Sequence, residues 1–164
     1  MASQAKALIY PFTVGDRTQS DLLGGKGANL AEMVRMGLPV PPGFTITTEA
    51  CREYLASEQM SAALLSEVDH ALAELEKSLG KKFGDPSNPL LVSVRSGAKF
   101  SMPGMMETVL NVGMTPEVAE GIAKASGNPR CAWDSYRRFV DMFGRIVCDV
   151  PPSEFHKVEH RILE

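Results

Sequence analysis

Apolar positions along the chain alternate between strand-like and helix-like spacing through its first two thirds, then settle into helical spacing alone. Ala7 to Phe12 reads as an opening strand, and Asp16 to Leu23 as a polar loop. Leu30, Met33, Val34 and Leu38 recur at helical spacing from about Gly27. That helix should end near Gly37, which accepts a left-handed cap, before Pro39 prevents continuation. Val40 to Ile46 carries two prolines and a glycine, a stiff connection feeding a short strand. Thr47 or Thr48 then caps a helix holding Tyr54 and Leu55. Leu65, Val68, Leu72, Leu75 and Leu79 step by three and four, predicting a longer helix whose stripe packs in the core.

Leu90, Leu91, Val92 and Val94 form a short, β-branched run that reads as a buried strand ending at Arg95. A loop of small and flexible residues follows, and Thr108 to Val112 returns as a second strand. Thr115-Pro116-Glu117 then supplies a cap, a proline at the first helical position and an early acid. Val118, Ile122 and Ala125 give that helix a buried face, closed by Gly127. Asn128-Pro129 repeats the start signal, and Trp133, Tyr136, Val140, Phe143 and Val147 mark another apolar stripe. Pro151-Pro152 breaks it. Ser153 caps a last helix with Phe155, Val158 and Ile162 inward, still amphipathic at Glu164, so the chain is expected to be cut inside an element. The pattern predicts an α+β lobe over residues 1–113 and a helical subdomain over 114–164.

Composition changes this picture little. At 164 residues the chain suffices for one ordinary core or two small lobes. A net charge of −3 argues against broad neutralisation of a nucleic-acid backbone, so any polyphosphate would be held by a few focused cations. No apolar run approaches the roughly 20 residues of a membrane span, and the first ten residues lack the apolar stretch of a secretory signal. Neither nucleic acid nor membrane is therefore an expected partner. Cys51, Cys131 and Cys148 form no CxxC pair and read as buried small hydrophobes in a reducing compartment.

Two segments carry candidate chemistry. Strand, Arg95, loop and returning strand can fold main-chain amides over an anion, and a guanidinium fork suits phosphate oxygens. Near the N-terminus, Leu22-Leu23-Gly24-Gly25-Lys26-Gly27 opens a helix, where unpaired amides and the dipole favour negative charge. Lysine is usually better placed at the other end of a helix, so Lys26 here suggests a ligand. Glycines at 24, 25 and 27 would let that ligand approach the main chain closely. The bare patterns fit a structural arginine and a solvated lysine on a turn equally well. Neither is a Walker A loop, because Gly27 rather than Ser or Thr follows Lys26 and Ser20 occupies the earlier glycine position. No GxGxxG follows a strand.

GGKGANLAEM at 24–33, GLPVPPGFTITTEA at 37–50, KKFGDPSNPLLVSVRSGAKFSMPGMMETVLN at 81–111 and GNPRCAWDSYRRFVDMFG at 127–144 together resemble the pyruvate, phosphate dikinase family. Phosphoenolpyruvate synthases and glucan, water dikinases share the GGK and VRS themes but typically carry a different loop in place of KFSMPGMMETVLN. The resemblance implies the N-terminal portion of an ATP-grasp nucleotide-binding domain. In the family, ATP and Mg²⁺ phosphorylate a histidine on a swivelling domain, with inorganic phosphate as co-substrate. An α/β barrel then passes the phosphoryl group to pyruvate. Family enzymes are several times longer, so metal ligands, the phosphorylated histidine and the barrel would all lie beyond this chain. None of His70, His156 or His160 matches the phosphorylated histidine, and the fragment alone is not expected to turn over. A homo-oligomeric full-length enzyme in the cytoplasm, or in an organelle such as a plastid or glycosome, completes the implied picture.

The resemblance assigns ATP contacts to Lys26, Arg95 and Arg137, with Gly97, Gly104 and Thr108 in a lid loop over the β- and γ-phosphates. Arg137 is preferred over Arg138 because it follows Tyr136 at the edge of the apolar stripe; two solvated arginines remain the alternative. Met102, Met105 and Met106 serve either as flexible apolar cover or as ordinary core. Other dikinases of the superfamily, including phosphoenolpyruvate synthase, and a non-catalytic nucleotide-binding module are the competing functions. His156-Lys157-Val158-Glu159-His160 fits the HxxEH spacing of inverted zincins. A zinc site needs a third protein ligand and a buried second shell, so a solvated helix face is the expectation there.

Overall fold

The computed structural model describes residues 7–97 and 108–163, for residues 159, 160, 162 and 163 by their main chain only. The chain is α+β and divides into two compact units. The first is Met1–Gly80 with Gly97–Met106, and the second is Lys81–Ser96 with Glu107–Glu164. The boundary expected at 113/114 falls inside the second unit, where the strand over 108–112 packs on the helix over 129–146.

In the first unit, β1 (Ile9–Pro11) runs antiparallel to β2 (Phe44–Ile46), with Ile9 opposite Ile46 and Pro11 opposite Phe44. Between them lies α1 (Ser20–Arg35), preceded by a short 3-10 turn over Arg17–Gln19. The segment read as a loop from Asp16 is therefore helical from Arg17. The reason is a capping box: Asp16 accepts from the Thr18 amide, and the Gln19 side chain accepts from the Asp16 amide. The spacing Asp16-x-x-Gln19 carried that signal. Hydrogen bonds from Thr18 hold the Asp16 carboxyl below its ordinary range.

Thr47 caps α2 (Thr48–Ser57) by accepting from the Ala50 amide, and Ser61 caps α3 (Ala62–Leu79) by accepting from Leu64. The buried face of α3 is Leu64, Val68, Ala71 and Leu75, which keeps Val68 and Leu75 of the predicted stripe but turns it toward Leu64 and Ala71. Leu65 and Leu79 are exposed. Leu64 joins Leu8, Ile9 and Ala50 in one cluster, with Phe44, Val68 and Ala71 against it, so contact with β1 and α2 selects this face. A polar tie accompanies the cluster: one Glu67 oxygen accepts from the Leu8 and Ile9 amides at 2.9 and 3.0 Å. A second cluster, Leu23, Ala28 and Ala31 with Tyr10 and Leu22, seats α1. Its approach to β2 is close. A β-carbon on Gly27 would lie 2.8 Å from both Cγ2 and Oγ1 of Thr45.

The second unit opens with β3 (Lys82–Phe83) parallel to β4 (Pro89–Leu90), then β5 (Val92–Arg95) antiparallel to β6 (Thr108–Val112). The expected buried strand is thus interrupted at Leu91. Leu90 is buried, Leu91 and Val92 are half-buried, and Val94 is exposed; among the described residues β5 has only β6 beside it. Thr115 and Asn128 cap α4 (Pro116–Ser126) and α5 (Pro129–Ile146) as predicted. Val118 and Ala119 of α4 are fully buried with Met114, against Leu91, Ile122, Tyr136 and Phe139. Ala123 rather than Ala125 completes that face, and Ala125 is exposed.

On α5, Ala132 is buried and Tyr136 half-buried, whereas Trp133, Val140, Phe143 and Val147 are exposed. Tyr136 and Phe139 meet α4, and that contact spans only part of the predicted stripe. α6 (Pro152–Leu163) follows, its helical bounds beginning before Ser153. Phe155 lies against Gly144, as an inward position should, but Val158 is exposed; the Ile162 side chain lies outside the described residues. All three cysteines are exposed, contrary to expectation, because each occupies the outer side of a helix or its end.

Two stability outcomes follow from the first unit. Glu67→Ala leaves two strand amides without their acceptor and should destabilise folding by about 1–3 kcal/mol, read from urea unfolding. Glu67→Gln, which keeps an acceptor oxygen, should lose clearly less. Gly27→Ala should also destabilise, by about 1–3 kcal/mol, because Thr45 and the helix must separate to admit the methyl group.

Candidate functional site

The glycine-lysine element is not a smooth helix start. Gly24 has φ 68° and ψ 164°, a break that stops the first turn of α1 and restarts the helix at Gly25. The φ value lies in the left-handed region, where a side chain is strained, so glycine is required there by conformation. Lys26 consequently sits in the first turn of the restarted helix, as the spacing predicted, and is half-buried. The first amides of any helix have no carbonyl one turn back, so this turn offers donors beside an ammonium group.

Gly24 and Gly27 do different things. Gly24 makes the break, and the main chain of Gly97 lies next to it: a β-carbon at 24 would be 3.7 Å from the Gly97 carbonyl carbon. Gly27 is buried against Thr45. Its small size serves helix–strand packing and not the approach of a ligand, which corrects the expectation for that position.

In the second unit, Arg95 ends β5 directly opposite Thr108, the first residue of β6. Arg95 is exposed and Thr108 half-buried. Their pairing depends on a bulge. Val92 opposes Val112 while Val94 opposes Val109, so Leu110 and Asn111 together face Ser93. Asn111 takes φ 59°, a conformation asparagine tolerates better than most residues. Nothing in the alternation of apolar residues announced this bulge, and it sets which residues stand opposite each other at the end of the hairpin where the two strands connect.

The arginines of α5 are held by an acid on their own helix. Arg137 donates to Asp134 Oδ1 from Nε at 3.3 Å and from a terminal nitrogen at 3.1 Å. Arg138 donates from Nε to Asp134 Oδ2 at 2.8 Å. Asp134 is therefore shared, and its carboxyl is held below its ordinary range chiefly by the hydrogen bond from Arg137 and then by the charge of Arg138. Both guanidinium groups are exposed. Arg138, with Asn128, Arg130, Cys131 and Asp134, lines an open depression of about 490 Å³. Sequence reasoning passed over Asp134, although its i, i+3 and i, i+4 spacing to two arginines was visible.

The structure thus brings Arg95 to Thr108 and Gly24 to Gly97. Lys26 and Gly97 belong to the first unit, and Arg95, Thr108 and Arg137 to the second. Gly104, with Met102, Met105 and Met106, lies outside the described residues. So do the side chains of Glu159 and His160 of the HxxEH run, while His156 is exposed. Among the described residues, no group of three or more His, Cys, Asp or Glu is placed to hold a metal ion. No described helix is long and apolar enough to cross a membrane.

Comparison with known proteins agrees with the motifs. Residues 20–70 and 57–138 match the family model described as the AMP/ATP-binding domain of pyruvate phosphate dikinase. The pyruvate, phosphate dikinase of Clostridium symbiosum is 53% identical over 151 residues, covering 92% of this chain and 17% of the relative. Pyruvate, phosphate dikinase 2 of Oryza sativa subsp. japonica is 57% identical over 143 residues, covering 87% of this chain and 16% of the relative. The chloroplastic enzyme 1 of Arabidopsis thaliana is 48% identical over 168 residues, covering 99% of this chain and 17% of the relative. The chain thus spans about a sixth of the length of these curated relatives. A helix restarted at a glycine-lysine turn, an arginine hairpin and these matches together place the chain in the pyruvate, phosphate dikinase family, over its AMP/ATP-binding domain.

Proposed function

We propose that this chain carries the cationic, N-terminal portion of an ATP-grasp site in a pyruvate, phosphate dikinase. Such an enzyme converts ATP, phosphate and pyruvate to AMP, diphosphate and phosphoenolpyruvate through a phosphohistidine. The observation that carries the reading is the break at Gly24, which restarts the helix at Gly25 with Lys26 in its first turn and the Gly97 main chain beside Gly24. A first turn with its amides and an ammonium group suits a polyphosphate.

In this reading Lys26 acts as a movable point charge, and Arg95 grips two phosphate oxygens at the end of its strand. Thr108, opposite Arg95, offers a hydroxyl at the same end of the hairpin. Gly97 and Gly104 supply main-chain amides over the β- and γ-phosphates, and Arg137 adds a further cation. Phosphoryl transfer asks mainly for positioning and for neutralisation of charge on the phosphoryl oxygens, which these groups provide. Mg²⁺ would supply further neutralisation of phosphate charge when bound. In this reading its protein ligands, the phosphohistidine on a swivelling domain and the pyruvate barrel belong to other parts of such an enzyme, and these residues supply nucleotide contacts and not the complete reaction.

The test is Arg95→Ala, and separately Lys26→Ala, in a complete dikinase containing this segment. Arg95→Ala should slow phosphorylation of the histidine from ATP on the order of 100-fold. Lys26→Ala should mainly weaken ATP binding. Unchanged nucleotide affinity together with unchanged histidine phosphorylation in Arg95→Ala would remove the assignment.

A further inference from the structure

The helix break at Gly24 is gripped from outside the helix by one short stretch of chain, the corner where β2 leads into α2. Before the break, the Asp21 carbonyl oxygen accepts from the Thr48 hydroxyl at 2.6 Å. After it, Gly27 lies so close to Thr45 that a β-carbon there would be 2.8 Å from the threonine side chain. Two threonines of one corner thus touch α1 on opposite sides of its interruption. The corner itself is anchored. The Thr47 amide donates to the Leu8 carbonyl at 2.9 Å, and the Thr47 side chain is buried as the cap of α2. Because Thr47 takes the capping role, the Thr48 hydroxyl is available for α1.

The hydroxyl bond falls where the helix is disturbed. A helical bond from the Gly25 amide to the Asp21 carbonyl would close a ring through residue 24. Gly24 has φ 68° and ψ 164° instead of helical values, which takes the ladder at this carbonyl out of helical geometry. Thr48 brings a donor to it from another element. The proton has a defined direction. A terminal nitrogen of Arg52 donates to the same hydroxyl oxygen at 3.3 Å, so that oxygen accepts from Arg52 and gives its proton to Asp21. Apolar contact also crosses the break, since Leu23 clusters with Ala28 and Ala31. Such contact is non-directional, whereas a hydrogen bond fixes an orientation.

We infer that Thr48 is a positioning residue for Lys26: its hydroxyl holds the arm of α1 before the break at a set angle to the arm that carries the lysine, so that the ammonium group and the first-turn amides meet a triphosphate together. The inference deepens the reading of Lys26 as a phosphate contact and rests on it. All the groups involved belong to the first unit. A pre-set turn matters because any freedom left in it must be lost when the anion binds.

The test uses a complete dikinase containing this segment. ATP binding in the presence of Mg²⁺ is measured by calorimetry, and amide hydrogen exchange is followed by mass spectrometry over residues 20–30. Thr48→Val keeps the shape of the side chain and removes the donor. It should weaken ATP binding roughly three- to tenfold and speed exchange across the break. Thr48→Ser, which keeps the hydroxyl, should restore both to within about twofold. Thr48→Ala should reproduce the valine variant, so the outcome does not hang on how one substitution packs. In a Lys26→Ala background, Thr48→Val should cost less than about twofold further, because the lysine it positions is gone.

Unchanged ATP affinity in Thr48→Val, beside lowered affinity in Lys26→Ala, overturns the positioning role and leaves the lysine contact standing. Equal losses in Thr48→Ser and Thr48→Val overturn it as well, since shape and not the hydroxyl would then matter. So does an equal loss from Thr48→Val with and without Lys26, which would mean that the hydroxyl acts elsewhere. If Lys26→Ala binds ATP as tightly as the unmodified enzyme, the phosphate reading of Lys26 fails first and the role of Thr48 goes with it.

Discussion

A single main-chain conformation at Gly24 organises the lysine element. Without a left-handed residue there, Ser20 to Arg35 would be one uninterrupted helix, and Lys26 would lie in its interior with its amide bonded one turn back. The break creates a second helix start close to where the apolar periodicity begins its helix. It also leaves room for the Gly97 main chain, which approaches Gly24 within ordinary contact distance of where a β-carbon would be. Gly27 then seats the restarted helix on β2 through Thr45, so the two glycines on either side of Lys26 serve conformation and packing.

The cations of the two units are presented by different means. Lys26 is placed by its helix start, and Arg95 by a hairpin whose register a bulge at Leu110–Asn111 determines. Arg137 and Arg138 are arranged by an ion pair on an exposed helix face. Surface pairs of this kind contribute little to the stability of the fold. The fold itself rests on separate apolar clusters in each unit, supplemented by polar ties such as Glu67 to the start of β1.

Much of the local architecture was legible. The caps at Thr47, Thr115 and Asn128 lie where side-chain chemistry puts them, since each hydroxyl or amide oxygen accepts from an amide in the first turn. The return strand over Thr108–Val112 likewise follows from its β-branched composition. Helix faces were less legible. On α3, both Leu64 and Leu65 fit an apolar pattern, and only the position of β1 and α2 selects Leu64. On α5, Trp133 and Val147 share a stripe with Tyr136, yet the surface of α4 reaches only part of that stripe.

The sequence by itself determined the family, the element types, their caps and the candidate cations, because these depend on residue identity and on spacing within a few turns. Tertiary structure decided which side of each helix is buried, that Gly27 packs against a strand, and that Arg95 faces Thr108 across a bulged hairpin. It also decided that the cysteines stand exposed on helix surfaces. The physical reason is range. Capping and helical spacing are set by neighbours in the chain, whereas burial and register depend on residues brought together from distant positions, which no local pattern encodes.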